Sequence, residues 1–124
     1  MSLRENWRVV ALTLAVLGCA RPVDVAGVWQ GAWESADGAS RGAFRVQVTQ
    51  RGNRIWGPIT LEGAWAPEAR VEGSVEGSHV RWGVVRGGLV VVTFEGTVED
   101  GRASGVYRAP GGTGRWSARR LTRR

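Results

Sequence analysis

Apolar and polar residues alternate along most of this chain. Phe44, Val46 and Val48 share one parity against Arg45, Gln47 and Thr49, and Ile55, Ile59 and Leu61 oppose Arg54, Trp56 and Thr60. Further on, Val80, Trp82 and Val84 oppose His79 and Arg81, while Val90, Val92, Phe94 and Val98 oppose Thr93, Glu95 and Glu99. A two-residue period marks a strand with one buried and one wetted face. The pattern predicts eight strands, near 27–35, 41–50, 53–62, 69–76, 79–86, 89–99, 102–109 and 113–121.

The breaks between these segments are Asp37-Gly38, Arg51-Gly52-Asn53, Pro67, Gly77-Ser78, Gly87-Gly88, Asp100-Gly101 and Gly111-Gly112. Several are tight-turn sequences of the kind that joins antiparallel neighbours. No segment keeps a helical period, and 19 glycines would weaken helices in any case. The expected fold is all-β, a single small antiparallel up-and-down barrel of about eight strands. Closure removes the exposed sheet edges and gives every strand one face toward a common core. Glycines inside the strand segments (Gly31, Gly57, Gly73, Gly83, Gly96, Gly105, Gly114) suit strands bent tightly around a narrow barrel.

The amino end breaks the alternation. Arg4 and Arg8 precede an uncharged apolar run, Val9 to Leu17, which leads into Val16-Leu17-Gly18-Cys19. Such a run is shorter than the ~20 residues that a membrane-spanning helix needs, and it suits the core of a signal peptide. The run with its terminal cysteine resembles the lipobox of bacterial lipoproteins. That resemblance implies cleavage before Cys19 and a diacylglycerol thioether on its sulfur, usually with a third acyl chain on the new amino group. Two or more acyl chains give stable anchoring where one does not. Cys19 is the only cysteine, so no intramolecular disulfide accounts for it. Ala20 follows it, where the resemblance implies transport to the outer membrane, facing the periplasm or the surface. The expected organisation is a signal peptide over 1–18, a lipidated tether over 19–25, a barrel over 26–121 and a basic tail over 122–124.

Charge adds little to this picture. Residues 1–18 hold Arg4, Arg8 and Glu5, which leaves 15 of the 17 basic and 10 of the 11 acidic residues in the mature part. The chain has no Lys, which fits a coding bias better than a selected chemistry. No nucleic-acid partner is expected for an exported domain, and the excess charge suits a surface near anionic headgroups. The basic carboxyl end (Arg115, Arg119, Arg120, Arg123, Arg124) is read mainly as a solvated strand end.

The first strand opens with Gly27-Val28-Trp29, and the last ends with Trp116-Ser117-Ala118-Arg119-Arg120. These ends resemble the calycin superfamily of lipocalin-like and avidin-like barrels. The resemblance implies that Gly27 and Trp29 floor one end and that a basic residue of the last strand lies over the indole. Of Arg119 and Arg120, parity selects Arg120, which shares a face with Trp116 and Ala118.

Candidate chemistry is sparse. His79, the only histidine, stands at a turn without metal-ligand spacing around it. Parity sends most of Glu34, Glu62, Glu72, Glu76, Glu95 and Glu99 outward, and no nucleophile motif or phosphate loop is present. The expectation is therefore no catalytic residue, no metal and no cofactor. Trp33, Trp82, Phe94 and Trp116 fall on the inward parity of four strands and are the candidate ligand-lining residues. Trp56 and Trp65 fall outward or in a loop, as candidate contacts with a partner or the membrane interface. The favoured function is a membrane-anchored envelope lipoprotein with a non-catalytic interaction or structural role. Its partners are the membrane, through lipid on Cys19, and an envelope protein or apolar small molecule. The alternative is a small barrel that binds an apolar ligand. Interior volume separates the two, because a core filled to native density leaves no room for a ligand.

Overall fold

The computed structural model describes residues 21–62 and 68–122. The expected signal peptide over 1–18, Cys19, Trp65, Pro67, Arg123 and Arg124 lie outside the described residues. Eight strands follow one another: β1 Gly27–Ser35, β2 Arg41–Arg51, β3 Arg54–Leu61, β4 Glu68–Glu76, β5 His79–Arg86, β6 Leu89–Glu99, β7 Arg102–Ala109 and β8 Gly112–Thr122. Each pairs antiparallel with the next, and β8 pairs with β1 to close the barrel. β8 runs through Thr122, one residue beyond the boundary that alternation suggests.

The short turns dictate this order. Gly38, Gly52, Gly77, Gly87 and Gly101 all adopt positive φ between consecutive strands, a region open to glycine at no steric cost. Inward residues of all eight strands form one core, with Trp29, Phe44, Ile59, Val75, Trp82, Val84, Phe94, Val98 and Trp116 all buried. The described core begins at Val25, with Val23 packed against it, so the chain from residue 20 onward carries the closed barrel and all of its described core.

One expectation fails. Val90 belongs to the apolar parity of β6 in sequence, yet it is 63% exposed. The β5–β6 register shifts between Val84 and Val85, so that Val84 faces Val92 while Val85 faces Val90. Val91 is the extra residue of this bulge, and a bulge inverts the side-chain parity beyond it. Val90 therefore points outward beside Leu89 at the tip of the β5–β6 hairpin.

The two ends of the barrel differ. The chain enters at the end where the β2–β3, β4–β5 and β6–β7 turns lie, and the residues before β1 are fastened there. The Val23 amide donates to the Gly77 carbonyl at 2.8 Å. The Gln50 side chain accepts from the Val25 amide at 2.7 Å and donates to the Val23 carbonyl at 3.0 Å. Val25 is buried and plugs this end. The β1–β2, β5–β6 and β7–β8 turns crowd the opposite end.

Candidate functional site

At the plugged end, Trp29 lies 4% exposed, and its indole N–H donates to the Val25 carbonyl at 2.9 Å. Trp29 pairs across the β1–β8 ladder with Arg120, whose guanidinium carbon stands 5.3 Å from the centre of the Trp29 ring. Arg120 Nη1 also donates to the Ala26 carbonyl at 3.0 Å and lies 3.9 Å from the Asp24 carboxylate. The Arg120 side chain is only 11% exposed, so the stacked pair, its hydrogen bond and Asp24 together seal this end. Arg119, by contrast, is exposed on the outer wall beside Gln30 and Arg102.

Above this seal the interior is packed. Trp82 and Phe94 stack face to face, with centroids 3.9 Å apart and ring planes 3° from parallel. Trp116 meets Trp82 edge-on at 5.6 Å, and Phe44 tilts against Trp82, Phe94 and Trp116. The Trp116 indole N–H reaches the Glu95 and Val106 carbonyls, so its polar atom is satisfied inside the core. A void of only about 40 Å³ remains among these residues and those below them. That is close to the volume of one water molecule.

Above Phe94 the barrel opens into a cup of about 550 Å³. Leu61, Val84, Val91 and Val92 form one side of it, Trp33 and Tyr107 the other, and Phe94 lies at its base. Trp33 and Tyr107 meet edge-to-face at 6.0 Å and 84°. Each ring rests on a cross-strand glycine, Trp33 opposite Gly42 and Tyr107 opposite Gly114. A Cβ on Gly42 would fall 2.6 Å from the Trp33 ring, and one on Gly114 would fall 2.5 Å from the Tyr107 ring and hydroxyl. These two glycines therefore let the aromatic walls lie flat against the sheet and leave the mouth open, a pairing that also shields the glycine backbone.

The rim is polar. The Ser35 hydroxyl donates to Asp37 Oδ1 at 2.7 Å, and the Ala39 amide donates to the same oxygen at 2.9 Å. The Ala39 amide first, then the Ser35 hydroxyl, hold the Asp37 carboxyl below its usual range by bonding to its charged form. Tyr107 is pushed upward, by burial first and then by the Asp37 and Glu34 carboxylates.

Of the four candidate ligand-lining residues, Trp33 and Phe94 line the cup, whereas Trp82 and Trp116 pack beneath it. Tyr107 and Asp37 are not among the candidate residues read from the sequence. Tyr107 lies two residues from Gly105 and four from Ala103 on the inward parity of β7, so the same rule would have found it. Asp37 reads only as a turn residue until the β1–β2 turn is seen to fold over the mouth. His79 is exposed at the β4–β5 turn, and Trp56 is 41% exposed on the outer wall. Among the described residues, no three His, Cys, Asp or Glu gather as metal ligands. No family model, curated protein or solved structure matches this chain.

Proposed function

We propose that the chain is a membrane-anchored envelope lipoprotein with a non-catalytic role, whose calycin-like barrel takes a small, mainly apolar molecule into its open cup. The carrying observation is the cup of about 550 Å³ above a core that is otherwise filled. Its volume is within the usual range for small-molecule sites, as is its mainly apolar lining with a few polar groups at the mouth. The Trp29–Arg120 seal at the opposite end supports the calycin-like reading, since first and last strands meet there as the resemblance implies.

The apolar run before Cys19 supports the lipoprotein reading. Anchoring at Cys19 would also orient the barrel. Only three residues lie between Cys19 and Val23, which is bonded to the sealed end, so the four Cα steps reach about 14 Å when extended. The sealed end would then face the bilayer and the cup would face away from it. Replacing Cys19 by Ser is expected to abolish palmitate incorporation and release the protein from membranes. A Cys19→Ser chain that still carries labelled palmitate contradicts the lipoprotein reading.

The cup is tested separately, with N-phenyl-naphthylamine, a neutral dye that brightens in apolar surroundings. The chain from residue 20 onward is expected to bind one dye molecule saturably at micromolar concentration. Ala109 lines the mouth, so Ala109→Phe should put a ring into the opening and weaken binding by on the order of tenfold or more without unfolding the barrel. Dye binding that is absent in the parent, or unaltered by Ala109→Phe, removes the binding role.

A further inference from the structure

We propose that the cup selects a ligand with a positively charged group, an amine or other organic cation joined to an apolar or aromatic body. The assignment rests on the binding role proposed above and specifies its substrate class. Fifteen of the chain's 17 basic residues lie in the mature part, and all are Arg, yet no described arginine lines the cup. Asp37 is the one charged residue among the described lining residues. Its carboxylate is held by the Ser35 hydroxyl and the Ala39 amide, both of which bond the same oxygen, Oδ1. The turn is fastened by the Ala36 amide, which donates to the Thr113 carbonyl at 2.9 Å and continues the β1–β8 pairing one step beyond Ser35 and Gly114. The negative group is therefore fixed at the rim and not on a loose loop.

Aromatic rings supply the rest of the chemistry. Trp33 and Tyr107 stand on one wall, with Phe94 at the base. The faces of such rings carry negative quadrupole charge and attract cations, most strongly where water is excluded. A carboxylate at the mouth with aromatic walls below it gives a cation two favourable contacts, and gives an anion two unfavourable ones. Burial first, and then the Asp37 and Glu34 carboxylates, raise the Tyr107 phenol above its usual range. Glu34 itself is turned outward toward Arg41, at 3.7 Å, so Asp37 is the carboxylate within reach of a bound molecule.

Three compounds with one apolar body and different charge test this: naphthylmethylamine, naphthylmethanol and naphthylacetate. Isothermal titration calorimetry of the chain from residue 20 onward should show the amine binding on the order of tenfold more tightly than the acetate, with the alcohol between them. Asp37→Asn keeps both hydrogen bonds to the side-chain oxygen but removes the charge. It is expected to bring the three affinities within about twofold of one another while leaving that of the alcohol unchanged. Asp100→Asn, at the opposite end, should leave the preference intact. If all three compounds bind equally, or if Asp37→Asn keeps the full preference, the cation assignment is overturned while the cup remains a binding site. If none binds, the binding role itself fails.

Discussion

Replacing Trp29 by Ala is expected to lower unfolding free energy by about 3–5 kcal/mol, the usual cost of deleting a large buried aromatic side chain. The loss has three sources. The indole fills the narrow end of the barrel, its N–H is bonded to the Val25 carbonyl, and its face carries the Arg120 guanidinium. Truncation opens a cavity that Val25 cannot close while its amide stays bonded to Gln50. Arg120→Ala should cost less, because the bond to Ala26 and the stacking are each worth roughly 1–2 kcal/mol. The double variant should lose less than the two single losses combined, with a coupling of about 0.5–3 kcal/mol. Urea titrations with unchanged slope would give these differences directly. Additive losses would mean that the two side chains do not support one another, and would remove the seal.

Trp82→Ala should be as damaging, again by about 3–5 kcal/mol, for a different reason. Trp82 makes no side-chain hydrogen bond in the described structure; its worth lies in buried area and in ring contacts. It stacks on Phe94, meets Trp116 edge-on and packs against Phe44, and such aromatic pairs add ~0.5–1.5 kcal/mol each beyond burial. Its removal also takes the support from under Phe94, so the cup should deepen toward the space that Trp82 leaves. Trp82→Phe, which keeps a ring against Phe94, should recover part of the loss. Guanidinium denaturation showing a loss below about 1 kcal/mol for Trp82→Ala would mean that this layer is loosely packed.

The barrel was legible because its residues alternate without helical competition and because its turns carry glycine where φ must be positive. Phe44, Val46, Ile55, Ile59, Val80, Trp82, Phe94 and Val98 are buried as their parity requires. Val90 was not legible, since the bulge at Val91 leaves no mark in composition and acts only through the partner strand. The fastening of the entering chain was hidden for a related reason. Gln50 reads as one more outward polar residue, and only the approach of Val23 and Val25 to β2 gives its amide a role. The inward set Trp33, Trp82, Phe94 and Trp116 was visible as a set, but its division into two layers was not. Which rings fill the barrel and which border open space depends on height along the axis. Strand tilt and register decide that height, and parity does not encode it.

The proposed function requires a barrel that is filled below Phe94 and receptive above it. The most direct measurement is the set of tryptophan indole N–H resonances of the chain from residue 20 onward, labelled with nitrogen-15 and titrated with naphthylmethanol. Trp33 lines the cup, Trp29 lies beneath the Arg120 seal and Trp56 is on the outer wall, so the three indoles report on three separate places. The Trp33 signal, assigned by its loss in Trp33→Phe, should move progressively and saturate while those of Trp29 and Trp56 stay in place. A Trp33 signal that stays fixed up to the solubility limit of the compound, or shifts confined to Trp29, would mean that the cup takes no ligand.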